Sequence, residues 1–232
     1  VRWIRDHSGR LPLRPHFEAG EIDQECERLL RALPGRRAGA PVYPLTTDDL
    51  TVLVEAVTDD LDLYADLSAE APDAEGVTDF YPGQRPRVRI ARALSESARR
   101  EHRLRTTLAH ELGHVQLHAC LWTLDAPGGG PRCRRPGIEH PAQTDWLEWQ
   151  AGYAGGALLM PAGAVSAVVA SLLAPAGLPY PLHAAGTMAG TLVRRVARTF
   201  DVSRPAAEMR LLKLGYLHRA GSARHAGPAR VA

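Results

Sequence analysis

Cysteine is scarce in this chain. The three present in 232 residues, Cys26, Cys120 and Cys133, are too few and too scattered for a disulfide framework. Their odd count fits a reducing compartment, and each is expected to act as a small buried hydrophobe. An excess of one charge is nearly lacking as well: 28 basic and 26 acidic residues leave a formal net charge of +2, too little by itself to imply a polyanionic partner. The opening VRWIRDHSGRLPLRP has no apolar core of the kind a signal peptide carries. From Ala151 to Val193 there is no Asp, Glu, Lys or Arg, and the window 154–178 is long enough to span a bilayer. That window leans on Ala and Gly and is broken by Pro161 and Pro175, so two closely packed core helices are expected rather than a membrane span.

What is present is dominated by one pentapeptide. His110, Glu111, Leu112, Gly113 and His114 spell HELGH, an instance of H-E-x-x-H. On an α-helix, residues four apart are offset by about 40° around the axis and about 6 Å along it, so two imidazoles can close on one metal ion. Glu111 then lies beside that ion without having to ligate it. Hydrolysis by zinc needs this division, because the ion makes a water acidic and a nearby carboxylate must take the proton as the water attacks. Leu104, Leu108, Leu112, Val115 and Leu117 recur at nearly helical spacing, so residues 97–119 read as a helix capped by Ser97, with His110 and His114 flanking an apolar stripe.

Two side chains under-ligate a catalytic zinc, which usually has three protein ligands. Residues 144–160, TDWLEWQAGYAGGALLM, read as a second helix with Thr144 as cap, Asp145 in the first turn and Pro161 at the stop. Glu148 is its only Glu. Its neighbours Trp146, Leu147, Trp149, Tyr153, Leu158, Leu159 and Met160 are expected to bury it, and a buried carboxylate is costly unless paired or bound to metal. Glu148 is the expected third ligand. Nitrogen and carboxylate donors favour Zn2+ and would also accept Mn2+ or Fe2+.

HELGHVQLH followed by EWQAGYAGGALLMP resembles the ImmA/IrrE group of metallopeptidases, in which a HExxH helix precedes a second helix of the form E-x-x-x-N ending in L-L-M-P. The strong likeness covers about residues 85–161. Matching back from Leu158-Leu159-Met160-Pro161 puts Glu148 on the family's glutamate ligand, His110 and His114 on its histidine ligands and Glu111 on its general base. Two positions depart from the pattern: Gly152 stands where the family usually has Asn, and Gln150 where a second Glu is common. The resemblance implies a zinc-dependent endopeptidase of a bacterial cytoplasm. It also implies a restricted protein substrate, such as a transcriptional repressor in a stress or mobile-element circuit. The alternative is a non-proteolytic regulator, a DNA- or protein-binding module with a structural or vestigial zinc site. Zinc hydrolysis of a non-peptide amide would use the same residues.

Three further residues are candidates for ligand support or transition-state contact. His118 extends the series 110, 114, 118, although each step of four turns the face by about 40°, so its ring drifts from an ion held by the first two. His140 is a loop histidine that could reach the site. Tyr153 could donate to a developing oxyanion, or be a core tyrosine. The arginines 85, 87, 89, 92, 99, 100, 103 and 105 look like a nucleic-acid patch, but Val88, Ile90 and Ala91 interleave with the first of them, as in a strand with one solvated face. No direct nucleic-acid or membrane partner is expected.

The expected fold class is α+β and zincin-like, with a small sheet packed beside the HExxH helix and a mainly helical C-terminal half. Glu21 to Leu33 reads as an amphipathic helix, Thr47 as the cap of a short helix bearing Leu50, Leu53, Val54 and Val57, and Leu61 to Leu67 as a strand. Val77 to Tyr81 and Arg87 to Ala91 read as two strands around the turn Pro82-Gly83-Gln84, and a sheet here could hold a peptide as an added edge strand. Leu192, Val193, Val196 and Phe200 mark a helix, followed by another from Pro205 to Leu214 closed by Gly215. Residues 16–218 are thus expected to form one metallopeptidase domain, with 182–218 its C-terminal helical part and 219–232 a disordered tail.

Overall fold

Short polar side chains set where several elements begin. Thr46 accepts from the Asp49 amide and Asp49 returns the bond to the Thr46 amide, a capping box that starts its helix one residue earlier than a Thr47 cap would. Glu18 and Glu21 do the same for the helix read from Glu21, which begins at Ala19. Ser203 caps the helix read from Pro205, leaving the proline in its first turn. Ser97 does not cap the HExxH helix. Residues 98–100 tighten into a 3-10 turn, and the α-helix starts at Glu101 behind an Arg100 that makes no side-chain cap.

The computed structural model describes residues 2–6, 13–33, 43–70, 73–122, 132–135 and 146–219. The chain divides into two compact units, Val1–Pro41 with Leu45–Leu158, and Val42–Pro44 with Leu159–Ala232. In the first, β1 (Arg2–Arg5) pairs antiparallel with β2 (Leu13–His16), followed by α1 (Ala19–Arg31) and α2 (Thr47–Glu55). Then come β3 (Asp60–Ala65), β4 (Gly76–Asp79), β5 (Arg87–Ala91), the single turn α3 (Arg92–Ser95), the HExxH helix α4 (Glu101–His118), β6 (Arg132–Arg135) and α5 (Trp146–Leu159). The four-stranded sheet has the order β3-β5-β4-β6: β3 and β5 run parallel, and β4 runs antiparallel to both its neighbours. Gly83, at φ +70°, supplies the left-handed residue in the tight connection from β4 to β5.

The arginine run is engaged in this unit. On β5, Arg87 is exposed and Val88 and Ile90 are fully buried, as a strand with one solvated face requires. Arg89 reaches Asp79 at 2.8 Å and Glu70 at 2.9 Å, Arg87 reaches Asp59 at 3.3 Å, and Arg103 pairs with Glu75.

The second unit holds α6 (Ala162–Leu173), β7 (Leu182–His183), α7 (Thr187–Phe200), α8 (Arg204–Lys213) and β8 (Leu217–His218), with β7 and β8 paired in parallel. Leu192, Val193, Val196 and Phe200 form the buried face of α7, as their spacing implies. Asp201, at φ 49°, ends that helix, and Gly215, at φ +75°, follows α8. Two helices, α5 and α6, lie in the window 154–178, separated at Met160 and Pro161, and no single helix among the described residues is long and apolar enough to cross a membrane. Two burial expectations fail. Trp149 is about half exposed, its ring lying 5.7 Å from that of Tyr153 at the edge of the buried side of α5, and Cys120 lies exposed in the 3-10 turn after α4, whereas Cys26 is buried. The residues from Ala220 onward lie outside those described.

Candidate metal centre

Helix α4 is not an amphipathic surface helix with a single apolar stripe. Every residue from Thr107 to Val115 is buried, including His110, Glu111 and His114, and His118 is fully buried a turn later. A helix enclosed on all sides needs partners for its polar groups. They come from α5 and β4.

Small residues let α5 approach. A Cβ on Gly113 would lie 2.9 Å from the Ala151 carbonyl oxygen and 3.1 Å from its Cα, and one on Gly155 would lie 3.2 Å from the His110 nitrogen. The contact at Gly113 leaves no room for a side chain unless main chain shifts, and the one at Gly155 is tighter than ordinary packing. Glu148, one turn before Gly152, is thereby set opposite both histidines. Its Oε2 lies 3.0 Å from His110 Nε2, its Oε1 lies 3.2 Å from His114 Nε2, and the two Nε2 atoms are 3.1 Å apart. The three donor atoms fall within 4.8 Å of one another, so the group can hold a metal ion.

The spacing suits such an ion. Four ligands about 2.0–2.1 Å from a tetrahedral centre stand about 3.3 Å from one another, close to the separations found here. Two imidazole nitrogens and a carboxylate facing one point also match the donor set of a catalytic site, leaving a position open. Burial works to raise the Glu148 pKa, but hydrogen bonds from His110 and His114, and their charge, outweigh it and hold the carboxyl well below the usual carboxylate range. Glu148 is thus ionised, the form that ligates.

Glu111 points elsewhere on the helix, toward β4. Thr78 Oγ1 donates to its Oε2 at 2.7 Å, and a Cβ on Gly76 would come within 2.5 Å of its Oε1. Gly76 and Thr78 are two apart on one strand, so both face α4. This pair was missed in the sequence, although period-two alternation from the start of β4 was the signal that could have found it.

His118 stays away from the triad and instead touches a ligand from behind. Its Nδ1 lies 3.1 Å from His114 Nδ1, and its Nε2 lies 3.0 Å from Gln150 Oε1. Gln150 also donates through Nε2 to the Pro15 carbonyl of β2 at 3.2 Å. Burial first, and the neighbouring His114 second, push the His118 pKa well below the ordinary histidine value, so its ring is neutral. Arg14, also on β2, stacks its guanidinium 5.1 Å from the Trp146 ring centroid, holding the N-terminal hairpin over the start of α5. Tyr153 donates its hydroxyl to Asp23 of α1 at 2.9 Å. His140, Thr144 and Asp145 lie outside the described residues, as do both long segments flanking β6.

Compared with protein-family models and with curated proteins, the chain matches none. What identifies the site is its own geometry: a His-His-Glu group able to hold a metal ion, carried by two helices of a mixed α+β protein, with a carboxylate from the first helix buried against the adjoining sheet.

Proposed function

We propose that this protein is a zincin-like, zinc-dependent endopeptidase of the ImmA/IrrE type, acting on a restricted protein substrate such as a transcriptional repressor. The observation that carries the reading is the convergence of His110, His114 and Glu148 donor atoms on one point, with Glu111, a residue of the type needed for proton transfer, next to His110 in the sequence of the same helix. The family resemblance supplies the substrate class and a cytoplasmic setting.

When bound by these three residues, a divalent zinc ion supplies a Lewis acid that polarises a carbonyl and makes water acidic near neutral pH. The chain's own residues do the rest. Glu111 accepts the proton of the water as its oxygen bonds to the scissile carbonyl carbon, then delivers that proton to the nitrogen as the C–N bond breaks. The Thr78 hydroxyl fixes one carboxylate oxygen at 2.7 Å and so restricts the rotamers open to Glu111. His110, His114 and Glu148 would hold the ion from two separate helices, so their mutual placement depends on the α4–α5 packing at Gly113 and Gly155.

Glu111→Gln tests this directly. The variant should take up zinc as the native chain does and lose cleavage of the partner protein by about 10²–10⁴-fold, the range of one positioned general base. Undiminished cleavage would defeat the reading. Partner binding that survives in both proteins, with no cleavage by either, would favour a non-proteolytic regulator. Substrates are to be sought by comparing cell lysates incubated with the two proteins.

A further inference from the structure

Behind the metal-facing side of His114 runs a line of buried hydrogen bonds that the proposed chemistry does not use. It passes from His114 to His118 on α4, crosses to Gln150 on α5, and ends on the main-chain carbonyl of Pro15 in β2, with separations of 3.1, 3.0 and 3.2 Å. His114, His118 and Gln150 are each 1 % exposed or less. We infer that this line, anchored at the Pro15 carbonyl, sets the proton arrangement of His114 and so makes His118 and Gln150 positioning residues for the metal ion. The inference rests on the His-His-Glu metal reading and not on the identity of any substrate.

The order of protons follows from the last member. A carbonyl oxygen can only accept, so Gln150 must turn its NH2 toward Pro15 and its Oε1 toward His118. An amide oxygen can only accept as well, so His118 carries a proton on Nε2. A neutral ring protonated there presents Nδ1 as an acceptor. The group facing that acceptor is His114 Nδ1, which must therefore be the donor. With Nδ1 committed as a donor, Nε2 is the one nitrogen His114 can offer a metal ion: it carries the proton that meets Glu148 in the metal-free chain and becomes a lone pair when that proton leaves, and it is the atom that faces His110 and Glu148. A backbone atom in the N-terminal hairpin thus determines, through two side chains, which nitrogen of a ligand is free to bind metal. Supporting contacts of this kind fix ring orientation and raise ligand basicity.

Zinc affinity, measured by competition with a chromophoric chelator, and imidazole 15N NMR of the full chain together test this. The native protein should show His118 protonated on Nε2 alone and His114 protonated on Nδ1. In Gln150→Leu, with both histidines intact, His118 loses the acceptor that held its proton on Nε2, so its Nδ1-protonated form should appear and zinc affinity fall by about 10–100-fold. His118→Phe keeps a ring against Trp146 but removes the acceptor, and a loss of similar size is expected. Native His118 found with its proton on Nδ1 would overturn the inference, and that measurement needs no variant to fold. So would folded variants that bind zinc within about twofold of the native chain. A native chain that takes up no zinc at all would remove the metal reading, and with it this inference. Native uptake with unchanged variants would remove the inference alone.

Discussion

Glu148 and His118 both have lowered pKa values, for opposite reasons. Burial opposes the Glu148 shift, which its histidine partners drive, whereas burial is the main cause for His118. In each case the unfolded chain binds more protons than the folded one between the two pKa values, so stability falls as pH falls. For His118 the loss begins below its ordinary value of 6.5, and for Glu148 below 4.5. We expect the metal-free chain to lose stability progressively as pH drops from about 7 to 5, with a slope of up to about 1.4 kcal/mol per pH unit from one such histidine. His118→Phe should flatten that upper window and leave the lower one, as read by chemical denaturation across pH. An unchanged profile would contradict the neutral, buried state of this ring. Gly76→Ala forces a Cβ against the Glu111 carboxylate and the Thr107 methyl at 2.5 and 2.8 Å, and should cost about 1–3 kcal/mol, as overpacking does. The residues of the His-His-Glu group were legible in the sequence because helical spacing fixes His110 against His114, and because Glu148 was the only Glu in an apolar helix. Thr78 was not, because its role depends on which strand lies beside α4. Pro15 contributes a main-chain atom, which no side-chain pattern announces.

Between elements, the decisive feature is the close approach of α4 and α5. Gly113 sits inside the HELGH pentapeptide, where residue type is free as far as ligand spacing is concerned. Its neighbours explain its size, since a Cβ there would meet the main chain of Ala151 at 2.9 and 3.1 Å and the Ala154 methyl at 3.1 Å. Main chain cannot give way as a flexible side chain can, so Gly113→Ala should push the two helices apart. We expect it to destabilise the chain by about 1–3 kcal/mol and to weaken zinc binding as well, because Glu148 rides on the displaced helix. Equal zinc affinity in a folded Gly113→Ala protein would show that the helix spacing is not what positions Glu148. The helix and strand spans were largely readable from periodicity: the residues read for α1, α2, β4, β5, α7 and α8 lie within a few positions of those observed. Starts were read less well, because one residue decides a cap and because the 3-10 turn before α4 has no spacing that differs from a helix. Burial of α4 on every side was not legible, since His110, Glu111, His114 and His118 count as polar until the partners that satisfy them are known.

Over the whole molecule, all the residues of the candidate centre and its supports belong to the first compact unit, from Pro15 of β2 to Gln150 of α5. The described residues of the second unit supply none of the atoms grouped as metal donors. Nearly balanced charge at the level of composition corresponds, among the described residues, to arginines held by nearby carboxylates, such as Arg89 between Asp79 and Glu70. The most direct measurement is the metal content of the full chain after exposure to zinc and removal of unbound ion, alongside Glu148→Ala and His114→Ala. The account predicts about one equivalent of zinc per native chain and little or none in either variant, with the variants still folded by circular dichroism. A native chain that retains no more zinc than those variants would contradict it.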